Sequence, residues 1–309
     1  MNRAELQKLI VGPVATVPTP FDANHNVDYG RMHELVQWWV ENGIVKGKGI
    51  VKIAAAMGEG FHLSDDEWPP LLSTTVNAAN DKATIVCGLH YKDTVRTIDD
   101  AKRAQDLGAV GLQISPPIFV HPTQDDLLRH FQAISDAIEI GILVYHTHWF
   151  AGGRMELDTI MKLGDMENVV AFKWSNAEGQ KFEDMALFSD KMNVIDNTLQ
   201  PIESHKLGGK GYINETMAAY PAHDLKVQAL IDDGKYDEAQ ALWDSVTVPI
   251  RAFYDTIAPK SGGEGRLVKG LMEIMGQPCG VSRPPSLPLS ADEKARLREV
   301  VQSFGWPVA

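Results

Sequence analysis

The chain has 309 residues, 44% of them hydrophobic and 23% charged, which suits a packed globular protein and excludes a disordered one. Its 41 acidic against 29 basic side chains leave a net charge of −12, so a surface for nucleic acid is not expected. The two cysteines, Cys87 and Cys279, exclude a disulfide scaffold and a CxxC zinc site; no apolar run nears the ~20 residues of a membrane helix, the N-terminus has no apolar signal core, and a soluble cytoplasmic protein without a membrane partner is expected. Val11 to Pro18 then reads as a short strand stopped by Pro18-Thr19-Pro20. Met32, Leu35, Val36, Trp39 and Val40 recur at helical spacing before Gly43. Gly49 to Ala56 is a buried strand, and Ser64-Asp65-Asp66-Glu67 is a capping box opening a helix to about Asn80.

The alternation continues. Strands are expected at Thr84–Gly88, Gly111–Ser115, Ile142–Tyr145, Val169–Lys173, Val194–Asp196 and Tyr212–Asn214. Helices are expected around Ile98–Leu107, after Thr123, at Leu157–Leu163, near Phe182–Phe188 and at Pro201–Leu207. Eight strand–helix units in this length predict an α/β chain folded as a (β/α)8 TIM barrel over residues 1–224. A doubly wound open sheet fits less well, because no GxGxxG follows the first strand. After residue 224 the alternation stops. Helices around Leu225–Asp232, Tyr236–Ile257, Leu267–Met275 and Ala291–Phe304 predict a helical extension, residues 225–309, packed on the barrel.

Chemistry in such a barrel sits where strands end. That filter selects Ala56 to Glu59, His90 and Tyr91, Ser115 to Phe119, Tyr145, His146 and His148, Lys173 to Ser175, Asp196 and Asn197, and Asn214 and Glu215. Lys173 ends an apolar strand, so desolvation lowers its pKa and frees an amine that attacks carbonyls; a lysine that merely snorkels to solvent has the same signature. Tyr145 supplies either a proton relay or a buried phenol that satisfies a backbone group. His146 and His148 form an HxH that, with Asp196, would begin the metal site of a hydrolase, a second reading. Trp149 and Phe150 beside them suit an aromatic pocket wall, while His33 and His130 fall in helices. Gly208-Gly209-Lys210-Gly211 and Gly262-Gly263-Glu264-Gly265 look like phosphate loops but lack the P-loop spacing.

These pieces, in this order, resemble the dihydrodipicolinate synthase / N-acetylneuraminate lyase family. The resemblance rests on Val17-Pro18-Thr19-Pro20-Phe21, Met57-Gly58-Glu59 with Leu63 to Glu67, Ala104 to Gly111 with Pro116-Pro117, Tyr145 and Lys173 at the family's spacing, Leu207 to Gly211, and Arg283-Pro284-Pro285. It implies a lyase in which Lys173 forms a Schiff base with a 2-oxo acid and Tyr145 relays protons. It implies substrate contacts at Ala56, Met57, Gly58, His146, His148, Trp174, Ile213 and Phe119, no cofactor or metal, and a homotetramer built as a dimer of dimers. Aldol cleavage, condensation and dehydration share the same enamine and stay open. The departures also matter. Ala56 and Met57 stand where the family has two threonines, Phe119 where it has a relay tyrosine, Phe150 where the synthases have an arginine, and Trp174 where a glutamate is common. Dihydrodipicolinate synthase activity itself is therefore not expected, and a substrate with an apolar or aromatic far end is. A catalytically reduced member that only binds a small ligand is a third reading.

Overall fold

The computed structural model describes residues 1–90 and 92–309. Eight parallel strands close into a barrel in chain order: β1 (Gly12–Thr16), β2 (Ile50–Ile53), β3 (Thr84–Leu89), β4 (Gly111–Ile114), β5 (Gly141–Tyr145), β6 (Val169–Trp174), β7 (Asn193–Asp196) and β8 (Gly211–Ile213). Every residue of these strands is buried, which is why most of them read as short, mainly apolar runs, with Lys52, Gln113, Lys173, Asn193 and Asp196 among the buried polar exceptions. β1 closes the ring on β8 through the pairs Gly12–Gly211 and Val14–Ile213. Between the strands run α2 (Tyr29–Glu41), α3 (Trp68–Ala79), α4 (Thr94–Asp106), α5 (Gln124–Ser135), α6 (Leu157–Leu163) and α7 (Pro201–Lys206).

A helix the sequence reading did not anticipate, α1 (Arg3–Leu9), lies beneath the barrel. Leu6 and Ile10 are fully buried there, and Ile10 occupies the space where side chains at Gly111 and Gly141 would stand. The Arg3 guanidinium donates to the carbonyls of Gly164, Met166, Glu167 and Lys191, and Asn193 Nδ2 donates to the Gln7 and Ile10 carbonyls. This end of the barrel is therefore plugged, and the strands' C-terminal end is left for chemistry.

Two elements differ from expectation. α3 starts at Trp68, not at the Ser64 box. Glu67 does accept from the Ser64 N–H, but its carboxylate is held by the Arg283 guanidinium at 2.5 and 2.8 Å, so Ser64 to Glu67 serve a long-range clamp. The segment Phe182–Leu187 is a 3₁₀ helix, pinned by the Trp174 indole N–H donating to the Phe182 carbonyl. The remaining helices are α8 (Thr216–Ala219), which short-range periodicity does not reveal, then α9 (Pro221–Asp232), α10 (Tyr236–Ile257), α11 (Gly265–Ile274) and α12 (Ala291–Ser303). Among the described residues no helix is long and apolar enough to cross a membrane, and Cys87 and Cys279 are buried free thiols.

Candidate active site

Lys173 points inward from β6, where alternation puts Phe172 and Trp174 on the outer face. It is 6% exposed, and its Nζ stands 3.9 Å from the centre of the Tyr145 ring on neighbouring β5. Burial lowers its pKa to about 8, against the opposing pull of Glu264 and Glu215. About a tenth of the amine is thus neutral near pH 7, far more than for an ordinary lysine, and the neutral form is the one that attacks a carbonyl.

Below it the barrel interior is polar. Lys52 on β2 is 1% exposed and donates to Gln113 Oε1 on β4 at 2.7 Å. Burial, with Lys173 nearby, holds Lys52 well below the ordinary lysine range. Gln113 Nε2 lies 3.4 Å from His90 Nε2, and the His90 ring packs edge-on against Tyr145 with centres 5.7 Å apart. Burial and the two lysines push His90 down to about 3, so its imidazole is neutral. Tyr91, the other candidate after β3, lies outside the described residues.

Two cavities open above Lys173. One, of about 350 Å³, is lined by Lys173, Tyr145, Met57, Ile213, Glu215 and Arg251, among others. The second, of about 470 Å³, is an aromatic vestibule walled by Phe61, Phe119, Trp149, Phe150 and Tyr254 with Ala56 at its floor. Tyr145, Trp149 and Glu264 line both. Of the expected contacts, Ala56, Met57, Ile213 and Phe119 therefore lie on the cavity walls. Gly58 lines neither cavity, and its carbonyl accepts from Thr19 Oγ1 at 2.7 Å. The N–H groups of Met57 and Gly58 donate to no backbone carbonyl among the described residues.

Three further expected contacts also lie off the cavity walls. His146 follows Tyr145 and so faces outward. Its Nε2 accepts from the Met155 N–H at 3.1 Å, which leaves Nδ1 to donate to the Ser175 carbonyl at 2.9 Å. Both ring nitrogens are used, and burial pushes its pKa down to about 4, so it neither shuttles protons near neutrality nor binds a metal. Trp174 is fully buried on the same outer face, stacked on His146 and edge-on to Phe188. His148 packs on His146 and Trp149 and lines neither cavity. The Asp196 carboxylate accepts from Thr198 and Gln200, so the trio His146, His148 and Asp196 is not assembled. Among the described residues no cluster of three such ligands forms.

The sequence reading missed Arg251 and Tyr254 on α10 and the placement of Glu264 at the start of α11. The glycine-rich Gly262 to Gly265 was the one signal; it marks a turn that swings Glu264 over the site instead of a phosphate loop. Burial, reinforced by Glu264, raises the Glu215 carboxyl above its ordinary value.

The model of the dihydrodipicolinate synthetase family matches residues 10–304. A 4-hydroxy-tetrahydrodipicolinate synthase of Acetivibrio thermocellus is 25% identical over 300 residues, covering 96% of this chain and 98% of its own. The chloride-inhibited dihydrodipicolinate synthase of Acinetobacter baumannii, solved in complex with pyruvate, is 25% identical with a TM-score of 0.83, covering 96% of this chain and 99% of its own. A monomeric dihydrodipicolinate synthase variant superposes with a TM-score of 0.86 at 23% identity, covering 97% of this chain and 98% of its own.

Proposed function

The chain belongs to the dihydrodipicolinate synthetase family, lyases of the class I aldolase kind, and on that premise we propose that it cleaves or forms a bond next to a 2-oxo acid held as a Schiff base on Lys173. The observation that carries this reading is the buried, partly neutral Lys173 amine at the floor of a cavity that opens into an aromatic vestibule. The neutral amine attacks C2 of the 2-oxo acid, water leaves, and the iminium draws electrons from the bond beyond C3. Tyr145, in contact with Lys173, moves the protons of carbinolamine formation. The substrate carboxylate is taken by the N–H groups of Met57 and Gly58, which need no side-chain hydroxyl.

The far end of the substrate is aromatic or apolar. The vestibule is walled by rings, and among the described residues the one charged group on it is Glu264, which repels a second carboxylate. Arg251 is a cation on the Lys173 side, beside Glu215 and Glu264, and does not reach the vestibule lining. Condensation of pyruvate with aspartate semialdehyde is accordingly negligible. The test is purified protein assayed with pyruvate and either aspartate semialdehyde or an aromatic aldehyde. Turnover of the aromatic aldehyde alone is the expected result. Efficient use of aspartate semialdehyde, with kcat/KM of ~10⁴ M⁻¹s⁻¹ or more, overturns the specificity part.

For assembly we read Phe119, 81% exposed, and the neighbouring exposed Val120 as part of a contact face in a homotetramer. The similarity to a monomeric variant makes sedimentation of the native protein the deciding measurement. The cytoplasm, where Cys87 and Cys279 stay reduced, is the proposed compartment.

A further inference from the structure

The Schiff-base reading, on which this inference rests, places two parts of the substrate: C2 on Lys173 Nζ and the far group in the vestibule. C4 must then lie where the two cavities join. Three side chains line both cavities, and of these only Tyr145 and Glu264 exchange protons. Tyr145 stands against the Lys173 amine, on the C2 side. Glu264 comes from the C-terminal extension, at the N-cap position just before α11, and its side chain makes no capping hydrogen bond to that helix. It interacts electrostatically with Lys173 and Lys52 on one side and with Tyr254 on the other.

We propose that Glu264 is a catalytic residue, the base that takes the proton from the oxygen on C4. With a 4-hydroxy-2-oxo acid bound as the Lys173 iminium, the Glu264 carboxylate removes the C4 hydroxyl proton. C4=O forms, the C3–C4 bond breaks, and its electron pair moves to the iminium nitrogen, leaving a neutral enamine while the aldehyde departs through the vestibule. Glu264, now a carboxylic acid, returns the proton to C3. Water then hydrolyses the regenerated iminium to the shorter 2-oxo acid and the Lys173 ammonium. The other charged groups are less well placed: Glu215 and Arg251 line only the Lys173 cavity, and Tyr254 lines only the vestibule.

The probe is 4-hydroxy-2-oxo-4-phenylbutanoate, the aldol adduct of pyruvate and benzaldehyde. Two quantities are read: the adduct that borohydride traps on the protein, and the benzaldehyde released. Glu264→Gln should trap wild-type amounts of adduct while kcat for benzaldehyde release falls ~10²–10⁴-fold with little change in KM. Glu264→Asp should recover part of the loss. Because Glu264 is exposed on a helix end, both variants keep the fold. Release by Glu264→Gln within about threefold of wild type overturns the assignment, taking general-base loss as the yardstick. So does a wild-type protein that traps the adduct but releases no benzaldehyde. A wild-type protein that traps neither this probe nor pyruvate removes the Schiff-base premise itself, an outcome distinct from both.

Discussion

Lys173 owes its burial and lowered pKa to its place near the end of β6. One residue earlier or later the side chain faces outward, as Phe172 and Trp174 do, and packs on Phe188. With its pKa lowered to about 8, the ammonium form predominates below that pH and the nucleophilic amine above it. Imine formation with subsaturating pyruvate should therefore rise about tenfold per pH unit up to about 8 and then level off. A stopped-flow profile still rising near pH ~10, as for an ordinary lysine, would contradict this. Tyr145→Phe should lower kcat by ~10²–10⁴ if its phenol carries protons in the transition state; a loss under about tenfold would give that role to another group. His146 belongs to stability instead. His146→Ala leaves the Met155 N–H and Ser175 carbonyl without their partner, which costs ~1–3 kcal/mol in denaturant melts, while kcat/KM stays within a few-fold of wild type. Lys173 and Tyr145 stand out in the sequence because each closes an apolar strand run, and their catalytic roles rest on the family resemblance. His146 lies off the cavities, because strand-end position does not say which face a residue takes. Glu264 was passed over because it sits in a glycine-rich stretch after the alternation ends.

The loop after β2 is where elements hold the site in shape. Ala54 and Glu59 both adopt left-handed backbone, at φ of 51° and 60°, a conformation that non-glycine residues keep only when neighbours impose it. A side chain at Gly60 or Gly88 would collide with the Ala54 backbone, so these two glycines let the loop fold against β3. The constraint comes from α11. Lys269 meets the buried Glu59 carboxylate at 2.8 Å, donates to the Val281 carbonyl, and lies over the Phe21 ring, which Arg283 also covers. Lys269→Met removes the cation that holds the buried Glu59 carboxylate. It should destabilise the protein by ~3–5 kcal/mol and raise KM as Met57 and Gly58 move. Adding Glu59→Gln should restore much of the stability, and a double-mutant cycle by thermal melts checks the coupling. The barrel strands were legible as short buried runs and most helices by their 3.6-residue period, both local signals. The start of α3 was not, because Glu67 answers to Arg283, more than two hundred residues away in the chain.

Across the whole molecule, the candidate site lies at one end. α1 seals the other with Leu6 and Ile10, and the Arg3 guanidinium ties it to the β6 and β7 approaches. The C-terminal helices do more than cover the barrel. They supply Arg251, Tyr254 and Glu264 to the cavities above Lys173, so the barrel alone does not complete the site. That division was only half legible: periodicity disclosed four helices after residue 224, but no local pattern tells which residues of a helical extension face a distant strand end. All of these features converge on a covalent bond to one amine. The direct measurement is incubation with pyruvate, reduction with borohydride, and peptide mapping by mass spectrometry. The account predicts one pyruvate-derived adduct per chain, on the peptide carrying Lys173, absent in Lys173→Ala and never on Lys52. No adduct under conditions where the protein is folded, or an adduct that persists in Lys173→Ala, would contradict it.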